Sequence, residues 1–185
     1  MEKKVLTKSI AQSLTEVEYL TELSAVSLMD DDAAEVLGHY RGEIPLALNC
    51  LEHLSDASAE FLSRTTSGLA FSRLSELSDR SAESFSHHRG ELHFYGQTRM
   101  SNRAIEFLSR HQGEVLVLDN LSHMSDMEAE ILSKHEGWLN LFVLRSISDA
   151  GAKSLARHPG RLWLQLDEIP ESAAKILREH PSFAS

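Results

Sequence analysis

The sequence predicts an α/β fold, a right-handed solenoid with short parallel strands on its concave face and α-helices on its convex face. Three observations predict it. First, a unit of about 23 residues recurs along most of the 185-residue chain and is written most plainly at 147–164. Its helix-core column reads Leu37, Leu62, Phe85, Leu108, Leu132, Leu155 and Leu177, and its glycine column reads Gly42, Gly68, Gly90, Gly113, Gly137 and Gly160, so two columns of different chemistry drift together. A period of this size means that each unit is one supersecondary piece that must stack on its neighbours to bury its apolar face. Second, each unit opens with a helix-start signal followed by helix-spaced apolar residues. Third, a short run alternating with period 2 follows the glycine, the mark of a half-buried strand. One strand and one helix per unit, joined by short turns, require parallel strands with right-handed crossovers.

Along the chain, the first 24 residues lack the full repeat. A helix at 4–14 and a strand at 17–20 make residues 1–24 a capping segment, followed by a solenoid of about seven repeats over 25–185. The helix starts read Leu54-Ser55-Asp56, Leu77-Ser78-Asp79, Met100-Ser101-Asn102, Met124-Ser125-Asp126 and Ile147-Ser148-Asp149. Short oxygen-bearing side chains there accept the orphan N–H groups of a first turn, and Ser125 with Glu128 has capping-box spacing. Pro170 replaces the signal in the last unit, where no amide donor is needed. About ten helical residues follow. At about 100° per residue, Glu128, Ala129, Ile131, Leu132 and His135 face inward, while Glu130 and Lys134 face outward as an i,i+4 pair. That pair recurs as Glu60/Arg64 and Glu106/Arg110, and in weaker form as Glu35/His39 and Glu83/His87. The centre of the buried face is small (Ala33, Ser58, Ser81, Ala104, Gly151, Ala173), with Glu128 the exception that its cap explains. The glycine column suits a left-handed C′ position closing each helix. Strands follow at 44–48, 92–95, 139–142 and 162–165, whereas alternation leaves the register open at 69–72 and 114–118. At the far end, either the last helix is itself the cap or the array continues.

Composition excludes several function classes. The 18 Lys and Arg stand against 28 Asp and Glu, a formal net charge of −10 spread through the repeats. Such a field repels phosphate backbones and anionic lipid, so neither a nucleic acid nor a membrane is an expected partner. The single cysteine, Cys50, permits no internal disulfide and fits a reducing, cytoplasmic setting. The start carries charges with no apolar run after them, and no stretch approaches membrane-spanning length.

The repeat written by Ile147, Asp149, Gly151, Ala152, Leu155 and Ala156 resembles the leucine-rich repeat family, in its bacterial form of about 23 residues with the pattern I-x-D-x-G-A-x-x-L-A. The resemblance covers nearly everything after residue 25. It implies a horseshoe whose concave strand face, or an adjoining edge, binds another protein. One departure matters: apolar residues such as Leu51, Leu121 and Leu144 replace the family's usual asparagine after the strand, so the turn into the helix is expected to be packed instead of polar.

Candidate chemistry is sparse. The column His88, His111, His135, His158 and His180 suggests metal, but one ion needs several ring nitrogens within about 2.1 Å, and equivalent positions on adjacent helices lie roughly 8–10 Å apart. A structural role near the helix C-terminus is expected instead, with Tyr40 and Thr66 in the same column earlier on. No nucleophile motif, phosphate loop or C-x-x-C pattern appears, so no cofactor and no catalysis are expected. The repeated Ser-Asp pairs with a later His are explained as helix caps, and no polar cluster breaks the repeat. The stronger candidates are residues expected on the outer face of the strands: His93, Tyr95, Trp138, Asn140, Phe142, Trp163 and Gln165. Exposed aromatics are enriched at binding hot spots. The expected function is a noncatalytic interaction module for another protein. A structural or self-associating array, possibly part of a longer scaffold, is the alternative.

Overall fold

The computed structural model describes residues 4–15 and 21–183. In chain order its elements are β1 (Val5–Leu6), α1 (Lys8–Thr15), a 3-10 turn (Thr21–Ala25), β2 (Leu28–Met29), α2 (Asp31–Gly38), β3 (Leu46–Ala47), α3 (Asp56–Leu62), β4 (Leu69–Phe71) and α4 (Asp79–Ser86). Then come β5 (Leu92–Phe94), α5 (Asn102–Leu108), β6 (Val115–Leu118), β7 (His123–Met124), α6 (Asp126–Leu132), β8 (Trp138–Asn140), β9 (Ser146–Ile147), α7 (Asp149–Leu155), β10 (Leu162–Trp163), a second 3-10 turn (Leu166–Glu168) and α8 (Glu171–Leu177). The class is α/β: the described residues form eight helices alternating with strands. Six of these strands make one parallel sheet in the order β3-β4-β5-β6-β8-β10. The closest helix packing is between consecutive helices, from α1 on α2 to α7 on α8.

Strand register aligns leucine with leucine. Leu46, Leu69, Leu92, Leu116, Leu139 and Leu162 form one inward row, each at most 3% exposed. A second inward row holds Leu48, Phe71, Phe94, Leu118, Leu141 and Leu164, and Phe71 stacks on Phe94 at 5.5 Å with Phe85 of α4 against both. The open register is thereby fixed: Leu116 and Leu118 point in, Val115 and Val117 out. Ala129, Leu132 and His135 are buried while Glu130 and Lys134 are exposed, as the helical angles require. The outward pairs close at 2.8 Å (Glu60/Arg64), 2.5 Å (Glu106/Arg110) and 3.8 Å (Glu130/Lys134). His39 and His87 instead bond the backbone carbonyls of Glu35 and Glu83.

Four features depart from the sequence expectation. The helices are seven or eight residues long, with right-handed C-caps three to five residues before the glycine column. No glycine of the described residues has positive φ, so the column does not close helices in the left-handed region. A second set of parallel pairings also runs just ahead of the helix starts: β1 with β2, β7 with β9, and the Glu76–Arg99 bridge between them. It is continued by the Glu52 N–H to the Ser27 carbonyl and the Ser75 N–H to the Glu52 carbonyl. Buried Leu51, Leu74, Leu121 and Leu144 pull these turns inward, and backbone amides pair from repeat to repeat. Finally, the expected helix at 4–14 is a short strand followed by α1, so this end repeats the strand-then-helix order in reduced form. The strand expected at 17–20 lies outside the described residues. At the other end, the Ser182 hydroxyl accepts the Leu162 N–H along the open side of β10, and Phe183 packs beside His180.

The serine caps do more than end helices. Ser55, Ser78, Ser101, Ser125 and Ser148 each accept an N–H of their own first turn. Four of these hydroxyls donate to an aspartate one repeat back: Ser55 to Asp31, Ser78 to Asp56, Ser101 to Asp79 and Ser148 to Asp126. Ser58 and Ser81 add second donors to Asp31 and Asp56, and the serines hold the Asp31 carboxyl below its ordinary range. The ladder breaks once. Asn102 stands where the aspartate would be, and Ser125 turns to Glu128 of its own helix, donating from both N–H and hydroxyl at 2.7 Å. Glu128 thus supplies within its repeat the acceptor that Asn102 does not. Glu128→Ala is expected to cost about 1 kcal/mol, the scale of a lost cap. Adding Asn102→Asp should recover part of that loss in urea denaturation, and no recovery would refute the exchange.

Candidate interaction surface

The sheet presents one face to the helices and the other outward. Cross-strand register orders the outward side chains in rows. One row reads Ala47, Ala70, His93, Val117, Asn140 and Trp163. The row before it includes Glu91, Val115, Trp138 and Arg161, and the row after it includes Ser72, Tyr95, Asp119, Phe142 and Gln165. All seven residues singled out from the sequence lie on this face, because Leu92, Phe94, Leu139, Leu141, Leu162 and Leu164 between and beside them are buried. Tyr95, Phe142 and Trp163 are 46%, 39% and 48% exposed, whereas His93, Trp138, Asn140 and Gln165 are half-buried.

The structure divides them into two groups. Trp138 and Trp163, a diagonal pair on β8 and β10, stack at 5.7 Å with planes 11° apart. The Arg161 guanidinium lies 5.1 Å from the Trp138 ring centre. With Leu164, Ser182 and Phe183 they line an open cleft of about 340 Å³ beside the edge of β10. The second group centres on His93, whose Nε2 lies 3.1 Å from the Glu91 carboxylate and whose Nδ1 lies 2.5 Å from the Tyr95 hydroxyl. Nε2–H donating to Glu91 leaves Nδ1 to accept from the phenol. Burial raises the Tyr95 hydroxyl, and the Asp119 and Glu91 charges add to it. Burial also raises the Asp119 carboxyl, against the pull of His93 and the Phe142 N–H. Asp119 Oδ1 is buried with no hydrogen-bond partner.

A polar cluster that breaks the repeat therefore does exist, although the sequence showed none. Glu91, Asp119 and Arg161 were missed. Residues 115–118 are apolar throughout, so only the cross-strand register aligns Asp119 with Tyr95. Within the cluster, burial and the neighbouring acids hold the phenol in its protonated form instead of activating it.

The histidine column forms a buried spine between helix ends and sheet. Ring centres lie 5.9 Å apart for His88/His111 and 6.1 Å apart for each later pair through His180, with nearly parallel planes. The rings thus stack more closely than the helix spacing suggested. Lone pairs lie in the ring planes, so stacked rings cannot aim at one ion. One nitrogen of each ring bonds a carbonyl of the preceding repeat: His88 to Ser63, His111 to Gly90, His135 to Ser109, His158 to Gly137 and His180 to His158. Thr65, not Thr66, extends the column, its hydroxyl donating to the Tyr40 carbonyl at 2.6 Å. The serine caps lie about ten residues before each histidine, at the other end of the helix, so Ser, Asp and His do not meet as a triad.

No helix among the described residues is long and apolar enough to cross a membrane. No protein-family model matches the chain, and no curated protein matches it.

Proposed function

We propose that the chain is a noncatalytic protein-interaction module, a leucine-rich-repeat-like right-handed solenoid that binds a partner protein through the outer, concave face of its sheet. One observation carries this reading: Tyr95, Trp138, Phe142 and Trp163 stand together on one face of a sheet whose other outward residues on β3 and β4 are small. Large, rigid rings give contact area at little entropic cost and dominate binding hot spots. The packed core behind them holds them in place without needing a ligand. A reducing cytoplasmic setting, of the kind the bacterial repeats suggest, belongs to the same reading and is supported by the single thiol, Cys50.

The test is capture of a partner from the native host by the intact protein and by Trp163→Ala. The ring lies outside the core, so the variant should lose about 2 kcal/mol or more of affinity with little change in melting temperature. Undiminished capture by Trp163→Ala would refute the surface. A protein that grows in size with concentration and captures nothing else would favour the self-associating array.

A further inference from the structure

We propose that the outer face carries a socket for a guanidinium group, with Asp119 as its floor and the rings of Tyr95 and Phe142 as its walls, and that it receives an arginine side chain of the partner protein. The inference rests on the interaction reading above and names the chemistry of the partner at one point of that surface.

The geometry comes from the register. Tyr95, Asp119 and Phe142 follow one another across three adjacent strand ends, and the Asp119 N–H donates to the Phe94 carbonyl at 2.9 Å, which fixes the first pair. Neighbouring strands lie about 4.8 Å apart, so the backbones of Tyr95 and Phe142 stand on either side of Asp119, roughly 10 Å from each other. A flat cation seated on Asp119 between these two residues would be within reach of both rings, since a ring face attracts a cation out to about 6 Å. Both rings are substantially exposed, and the Tyr95 ring is held in position by its hydroxyl bond to His93.

Charge points the same way. Asp119 Oδ1 is buried without a partner, an arrangement that costs stability until a donor reaches it. The Glu91 carboxylate, held on His93 Nε2, adds negative charge that is felt at the Tyr95 hydroxyl together with that of Asp119. The nearby basic groups already have partners: Arg161 lies on the Trp138 ring, and Arg145 pairs with Glu168 at 3.4 Å while its guanidinium donates to the Phe142 and Leu144 carbonyls from the backbone side. Arginine fits better than lysine because its plane stacks on aromatic faces while its fork of N–H donors meets a carboxylate edge-on. The net charge of −10 steers a basic segment toward the protein.

The probe is a short peptide, acetyl-Gly-Arg-Gly-amide, titrated against the intact protein while the NMR signals of the Tyr95 and His93 rings and the Asp119 and Phe142 amides are followed. The expected result is a saturable shift confined to these signals. The same peptide with neutral citrulline in place of arginine, and the lysine peptide, should each bind about tenfold more weakly or worse. Asp119→Asn, nearly identical in shape, should abolish the response at unchanged melting temperature, and Phe142→Ala should weaken it independently. No saturable shift, an equal response to citrulline or lysine, or a response surviving Asp119→Asn would overturn the socket. If the peptide fails while partner capture still depends on Trp163, the interaction surface stands and the arginine socket alone falls. A saturating peptide with capture indifferent to Trp163 gives the reverse.

Discussion

Acidification from about pH 7.5 to about pH 4.5 is expected to remove about 5 kcal/mol of folding stability through His111 and His158 alone. Burial is the main cause. It pushes His111 down to about 3, aided by the neighbouring His88 and His135, and His158 down to about 4, aided by His135 and His180. Each ring gives one N–H to a backbone carbonyl and leaves its other nitrogen, Nδ1 in both, buried without a partner. A second proton would have no acceptor. An unfolded histidine takes up its proton near 6.5. Below that value the unfolded chain binds protons that the folded chain refuses, so stability is complete above about 6.5 and falls as the pH falls toward 4. The loss grows by about 1.4 kcal/mol per pH unit for each ring, or about 2–3 kcal/mol each at pH 4.5. His88 and His135 are lowered too, chiefly by burial, and act in the same direction. Asp31, held low by its serine donors, comes into play only below the ordinary carboxylate range. Domains of ordinary stability hold only about 5–15 kcal/mol in total, so unfolding in mild acid should be visible by circular dichroism. Urea midpoints at the two pH values measure the loss, and His158→Gln should flatten the dependence. A stability that stays level across this interval would mean that the rings are hydrated and that the spine is not a buried one.

Much of this was legible from the chain because the repeat writes the same physics several times. Period-2 alternation placed Leu139 and Leu141 inside and Trp138, Asn140 and Phe142 outside. The angle of His135 on its helix placed it at the buried edge. Serine before an acidic first turn marked the caps. What stayed hidden lies between repeats, where contact depends on how one unit is laid on the next. Nothing within one repeat shows that Asp126 reaches Ser148, or that the exception at Glu128 answers the exception at Asn102. The pairing at β7 and β9 was hidden for the same reason, since Ser122 and Arg145 form no strand pattern of their own but exchange a backbone bond at 2.8 Å once stacked. At the candidate surface the rings were readable as outward residues, whereas the acid between them was not, because the apolar run before Asp119 gives no alternation to count from.

The glycine column makes the same point with the second large expected effect: Gly113→Ala should destabilise the fold by about 3 kcal/mol or more, at the upper end of what overpacking costs. Glycine after a helix ordinarily means left-handed backbone, but here the conformation is open to any residue. Space is the constraint. A Cβ on Gly113 would meet the Gly90 carbonyl oxygen and the His111 ring at under 3.0 Å. That oxygen is the one that accepts the His111 Nε2–H, so it cannot withdraw without breaking the link between the two repeats. The close approach of backbone to backbone is what lets the histidine of one unit reach the carbonyl of the unit before it. Gly68, in the same sequence column, is the control. Its added Cβ would meet only the Pro45 and Glu91 side chains, at 3.3 Å and 3.5 Å. Gly68→Ala should therefore stay within about 1 kcal/mol of the parent, with the reduced freedom of the unfolded chain offsetting part of the contact. Thermal and urea denaturation of the two variants side by side decide the matter. Equal effects would mean that the column is conserved in this chain's repeats for backbone geometry, whereas a large loss at Gly113 alone means that the glycine exists to let two repeats touch.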